Sequence, residues 1–360
     1  MLSQQQPLAG WQQQARRVEQ LTLAAAADSA QVDGLPRDDS ALLALLQQRD
    51  TPLLIKGYCR HWPLVQAGLQ SDAAALAYLQ QFDAGQPVNV AVLAAETQGR
   101  VFYNADLTGF NYQAGKAGFS QLLQQLSLEQ QAGSPLLYMA STDMQHFFPG
   151  LATDNSLRWP AWSALTSLWL GHAVRVAAHV DFPHNLACNV LGRRTFTLFA
   201  PDQIQHLYPG PIEFAPGGQE ISLVDFSTVD LQRFPMFAKA QQAALIAELE
   251  PGDLLFIPSM WWHHVQGHQR LNGLITHWWR DTPAYLGRPN NALLHAMLSL
   301  RSLPKAQRQA WQAWFEYYIF QHESAAVAEL PPAASGMLQQ PLPELQARQL
   351  RALLQNNLKR

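Results

Sequence analysis

Apolar residues fall in short runs broken by Gly and Pro through the middle of the chain, and at helical spacing towards both ends. Between about 166 and 280 the runs Ser167–Leu170, Arg175–His179, Asn185–Leu191, Thr195–Phe199, Asp253–Ile257 and Leu271–Trp279 predict successive short strands. Further strands are predicted over Thr51–Gly57, Val88–Val92, Arg100–Tyr103 and Pro135–Ala140. Leu191-Gly192-Arg193-Arg194 reads as a hairpin turn, with Gly192 supplying the positive φ. Many short strands with helices mainly at the ends indicate a mainly β fold with α additions. The expected core is a double-stranded β-helix, or jelly roll. The Pro- and Gly-interrupted stretch from Pro209 to Ala240 is expected to be a long surface excursion near the mouth of any site.

Helical spacing of Leu8, Trp11, Ala15, Val18 and Leu21 predicts an N-terminal helix, and Phe119–Gln131 a second one. Past Pro289 the pattern turns helical over Ala292–Leu298, Ala306–Phe320 and Glu344–Leu358, with an Ala/Pro linker over about 323–342. The expected division is a helical extension over 1–40, a jelly-roll domain over 41–285 and a helical region over 286–360. Trp311, Trp314, Phe315, Tyr318 and Ile319 share one wide apolar face, which has to be covered. The cover expected for it is a second copy of the chain, giving a homodimer.

Composition narrows the function. Of 360 residues 48% are hydrophobic and 14% charged, with a net charge of −3. That leaves no broad basic face for nucleic acid and no polybasic patch for a membrane. No apolar stretch approaches the roughly 18 residues that span a bilayer, and Glu19 interrupts the faint likeness of Leu21–Ala27 to a leader. Two cysteines, Cys59 and Cys188, lie too far apart in sequence to suggest a disulfide framework. A reducing, cytoplasmic setting is expected.

The informative chemistry lies at His179-Val-Asp181 and at His263 in Pro258-Ser-Met-Trp-Trp-His263-His264. Residues i and i+2 of a strand point to one side, so His179 and Asp181 can reach one ion. His263 follows the predicted strand Asp253–Ile257 and can close the set from across a barrel. Two imidazoles and a carboxylate on one face of a metal leave the other face open, the arrangement of non-haem iron oxygenases. An H-x-D or H-x-E is expected about once by chance in such a composition, so its place on a strand carries the reading. His184, His206, His264 and His268, taken singly, read as core or surface residues.

Three segments carry a family resemblance: Arg175-Val-Ala-Ala-His179-Val-Asp181-Phe-Pro-His-Asn185 with its continuation to Gln203, Leu207–Pro211, and Pro251–Val265. They are similar to the bacterial cupin-like branch of the JmjC oxygenases, whose best-understood relative is the asparaginyl hydroxylase that acts on hypoxia-inducible factor. The resemblance spans roughly 40 to 320. It implies that His179, Asp181 and His263 bind iron(II), and that His264 does not. It implies 2-oxoglutarate as cosubstrate with O2, the keto acid chelating iron at one end and held at its far carboxylate by Arg194 and Tyr138. Arg194 suits that task, since its fork of donors grips a carboxylate in two places. Asn185 is implied near the 1-carboxylate, Trp278 in the wall, and Thr276 where the hydroxylase has an Asn. Val176 replaces a carboxylate-binding Thr and has no donor to offer. The implied reaction hydroxylates a protein or peptide side chain and releases succinate and CO2. The alternatives are a metal-binding cupin that does not use 2-oxoglutarate, or a non-catalytic interaction protein, and after these a hydroxylase of a modified tRNA base.

Overall fold

The computed structural model describes residues 8–22, 31–32, 35–36, 39–158, 165–321, 330–339 and 341–359, in two compact units, Met1–Trp279 and Arg280–Arg360. The first unit is built on β1 (Arg16–Arg17), β2 (Glu19–Thr22), β3 (Leu53–Lys56), β4 (Pro87–Leu93), β5 (Arg100–Val101), β6 (Tyr112–Gly118), β7 (Leu136–Asp143) and β8 (Leu165–Gly171). It continues through β9 (Arg175–His179), β10 (His184–Leu191), β11 (Arg194–Phe199), β12 (Leu245–Leu249), β13 (Leu254–Ile257), β14 (Trp262–Gly267) and β15 (Asn272–Trp279). A six-stranded sheet has the order β1-β12-β11-β14-β9-β5, and a nine-stranded sheet the order β2-β3-β13-β10-β15-β8-β7-β4-β6. The mainly β jelly roll with helical additions is what the sequence predicts.

Period-two alternation sorts the core. Leu54, Ala187, Leu255, Ile257 and Leu274 of the large sheet meet Phe196, Leu198, Ala247 and Leu249 of the small one. Their neighbours Leu53, Ile55, Leu186, Cys188, Leu254 and Phe256 face the other way, onto helices Pro63–Gln70, Asp72–Gln80 and Phe119–Ser127. The stretch from Pro209 to Ala240, expected as a surface excursion, is instead packed. Val224, Phe226, Phe234 and Phe237 are buried with Phe199 and Trp262 on the outer side of the small sheet. Each Phe so covered contributes about 2–3 kcal/mol, which holds the stretch down without regular strands.

Two local readings need correction. The predicted N-terminal helix is limited to Gly10–Gln14, and the chain then runs extended as β1 and β2, pairing with β12 and β3. Val18 is buried in the inter-sheet core, so sheet pairing outweighs the helical spacing. Gly192 does adopt φ 70°, but β10 and β11 belong to different sheets, so the turn crosses the sandwich and is no hairpin. A Cβ there would lie 2.6 Å from the Leu271 carbonyl oxygen. The first compact unit ends at Trp279, where β15 ends.

The second unit carries helices Pro289–Leu300, Lys305–Phe315 with a π turn over Glu316–Phe320, and Glu344–Leu358. The last matches the sequence reading. Trp314, Ile319 and Phe320, on the predicted apolar face, are 58%, 56% and 68% exposed among the described residues.

His172, just after β8, is buried, and its Nδ1 accepts a hydrogen bond of 2.9 Å from the Leu137 N–H. Burial, helped by the charge of Arg270, pushes its pKa from 6.5 down to about 4. The unfolded chain therefore binds a proton that the folded one refuses between those values, and stability falls as pH drops through that window. Comparing urea midpoints at pH 7 and pH 4.5, we expect His172→Gln to shrink the acid loss by about 2–3 kcal/mol. An unchanged loss would place the acid sensitivity elsewhere.

Candidate metal centre

β9 and β14 run antiparallel with Arg175 opposite Gln266 and Val176 opposite Val265. The register then slips by one residue, so that His179 faces His263. This bulge turns both imidazoles to one side of the pair, with ring centroids 4.3 Å apart. Asp181 follows two residues on, its carbonyl accepting 2.9 Å from the N–H of Met260, which ties the end of β9 to the loop before β14.

Each imidazole is oriented by its own strand. His179 Nδ1 donates to the Ala177 carbonyl at 2.9 Å and His263 Nδ1 to the Trp261 carbonyl at 3.0 Å. A carbonyl can only accept, so each Nδ1 carries a hydrogen, and each Nε2 is the nitrogen that can offer a lone pair to a metal. His263 Nε2 lies 3.4 Å from Asp181 Oδ2, and one donor atom from each of the three residues falls within 4.8 Å of the others. Burial, reinforced by neighbouring His263, lowers the His179 pKa to about 4, which keeps that ring neutral. For Asp181, burial works against ionisation, but the hydrogen bond and charge of His263 outweigh it and the carboxyl stays below its usual range. Two imidazoles and one carboxylate converging on a point fit a divalent cation, with the remaining side open.

The open side faces a cavity of about 60 Å³. Tyr138, Asn185, Arg194, Thr276 and Trp278, the residues singled out in the sequence, all line it with the triad. Arg194 is only 8% exposed, forms no ion pair among the described residues, and its Nε has no hydrogen-bond partner. Burial pulls its pKa down to about 10, while the Tyr138 hydroxyl, itself pushed up by burial, acts in the opposite sense. Asn185 Oδ1 and Trp278 Nε1 are likewise buried without partners. Cavities built around orphaned polar groups are built for a polar ligand. Gly267 stands opposite Arg194 in the ladder, and a Cβ there would lie 2.9 Å from the side chain of Asn272.

Val176 lines the cavity and offers no donor there. Thr276 Oγ1 accepts 2.9 Å from Trp169 Nε1, so its own hydroxyl hydrogen stays available. Trp169 is a wall residue that the sequence reading missed. Alternation along β8 was the available signal, since Leu168 and Leu170 are core and Trp169 must point the opposite way. His264 points away from the triad, stacked on Phe226 at 4.8 Å, with burial and Arg175 lowering its pKa to about 3. His184 stacks between Phe256 and Trp279 and is a packing residue.

A family model described as a cupin-like domain matches residues 40–285. The chain belongs to the cupin-like family. Its match is shorter than the resemblance to about 320 suggests, and it ends close to β15. The cupin-like chain is similar to Jumonji C domain-containing protein 5 of Drosophila melanogaster, 31% identical over 159 residues, which are 41% of this chain and 38% of that protein. It is similar to human HSPB1-associated protein 1, 31% identical over 150 residues (41% and 30% of the two chains). It is also similar to tRNA wybutosine-synthesizing protein 5 of Danio rerio, 36% identical over 106 residues (29% of each). The match thus spans less than two fifths of each of these relatives. No helix among the described residues is long and apolar enough to cross a membrane.

Proposed function

We propose that this cupin-like protein is an iron(II)- and 2-oxoglutarate-dependent oxygenase that hydroxylates a protein or peptide side chain, with succinate and CO2 as coproducts. The observation that carries the reading is Arg194, a buried cation without a counter-ion in the cavity that the triad opens onto. A buried, unpaired guanidinium is costly to fold, and a bound carboxylate would offset that cost through charge-assisted hydrogen bonds. A bound iron(II) with keto acid and O2 would supply the oxidising chemistry.

The chain's own task is placement. His179 and His263 would hold the ion through Nε2 and Asp181 through a carboxylate oxygen. Arg194, with the Tyr138 hydroxyl as second donor, would grip the far carboxylate of the cosubstrate. Two donors remain where Val176 removes a third; one neutral hydrogen bond is worth about 1 kcal/mol, too little to cancel an ionic contact. Trp169 and Trp278 would keep water from the open face.

The test is an anaerobic titration of metal-free protein with iron(II) and then 2-oxoglutarate, following visible absorbance. A charge-transfer band is expected only when both are present, and none in His179→Ala. Iron binding without the band would favour a metal-binding cupin that does not use 2-oxoglutarate. As for assembly, we propose a homodimer formed through Trp314, Ile319 and Phe320; Trp314→Glu should then halve the solution mass seen by light scattering, and a wild type of monomer mass would end this proposal.

A further inference from the structure

Beyond the triad, a second cavity of about 430 Å³ runs from His179 to the free edge of the nine-stranded sheet. Its floor crosses β8, β7, β4 and β6 in order, so it extends over three strand spacings, about 14 Å. The floor is kept low by small side chains. Ala91 of β4 pairs with Ala114 of β6, and Ala140 of β7 lies beyond them. Tyr112, Tyr138 and Trp169 wall it, and Pro216, Gly217 and Ile221 of the packed insert roof it.

The outer end has a different chemistry. Lys116 and its cross-strand partner Asn89 are exposed there, and the Lys116 ammonium makes no ion pair among the described residues. Among the described residues β6 is the last strand of its sheet, and it borders the channel mouth.

We propose that this channel binds an extended polypeptide, with an acidic side chain on Lys116 and the residue to be oxidised at the triad. This rests on the oxygenase reading and names the substrate class for it. The spacing follows from geometry. About 14 Å is roughly four residues of extended chain at about 3.3 Å each, so the acidic residue lies about four positions from the target. The roughly 14 Å between the triad end of the floor and β6 has to be bridged by the ligand, which about four residues of extended polypeptide do and a small acid does not. A nucleic acid strand brings a phosphate at every residue and needs several cations, whereas the mouth offers one.

The test uses the full chain loaded with zinc(II), which occupies the triad without turnover, and fluorescein-labelled nonapeptide pools read by anisotropy. The pools carry Glu or Lys four positions to either side of a varied central residue. Zinc binding is confirmed for every variant, which separates misfolding from loss of capture. Wild type should prefer the Glu pools about tenfold, Lys116→Glu should reverse that preference, and Ala140→Phe, which fills the channel, should lose both pools at least tenfold. Equal capture of the pools, a preference unmoved by Lys116→Glu, or capture unaffected by Ala140→Phe would overturn the proposal. So would a single-stranded RNA that displaces the peptides and depends on Ala140 in their place. The outcome is independent of the absorbance titration. A missing band with intact peptide selectivity counts against the oxygenase reading alone, and a band with unselective pools counts against the channel alone.

Discussion

Replacing Asp181 by Ala should weaken binding of iron(II) by more than about 100-fold and remove turnover with it, while the chain stays folded. Asp181 is the one anionic group of the triad, so its loss removes both a ligand and the charge that offsets the cation. Disturbing a partner one shell further out already costs about 10–100-fold in metal affinity, and a direct ligand costs more. The two histidines stay in place because their Nδ1 hydrogen bonds run to their own strands and not to Asp181. Anaerobic calorimetric titration of iron(II) into both proteins measures the difference. Affinities within tenfold of each other would put the ion somewhere other than the triad.

Arg194→Met should show opposite effects with and without cosubstrate. In the metal-free, ligand-free protein the guanidinium is buried with no anion, so an apolar side chain of similar length should stabilise the fold by about 1–3 kcal/mol. With the metal loaded, the same change removes the buried partner of a carboxylate, which costs about 2–5 kcal/mol, or roughly 30- to 5,000-fold in 2-oxoglutarate affinity. Thermal unfolding with and without the keto acid reads both effects. Wild type at about 100 times its Kd should gain about 2.7 kcal/mol, and the variant almost nothing. If the variant is less stable without ligand and gains as much with it, Arg194 is structural and the cosubstrate binds elsewhere.

The central strands were legible because Gly and Pro mark their ends and their Leu, Val and Phe positions alternate between two faces. The triad was legible because His179 and Asp181 sit at strand spacing and His263 follows a run that ends at Pro258. What escaped depends on distant partners. Leu8 to Leu21 fits a helix as well as a strand, and only β3 and β12, remote in sequence, decide between them. Tyr-Gln-Ala-Gly-Lys-Ala-Gly, the sequence of β6, has little β propensity, and it is a strand because β4 pairs with it along its full length. Whether Gly192 closes a hairpin or crosses the sandwich depends on which sheet the next strand joins. Cys59 and Cys188, far apart in sequence, are buried in the same core cluster, a proximity that no local pattern announces. Arg194 could be placed on its strand and aimed inward, but the absence of any partner is a property of the assembled cavity.

The bulge ahead of His179 makes the metal site a matter of counting as much as of identity. Between Val176 and His179 the chain spends one residue more than its partner strand, and that surplus is what sets imidazole against imidazole. Without it the ladder would continue in step and bring Trp262 opposite His179, with all three ligands still spelled out in the sequence. A descendant that loses a single codon there would keep the motif, the fold and the family match, and lose the chemistry. Among relatives, the spacing around Ala177 and Ala178 is therefore as good a marker of a living site as the ligands themselves.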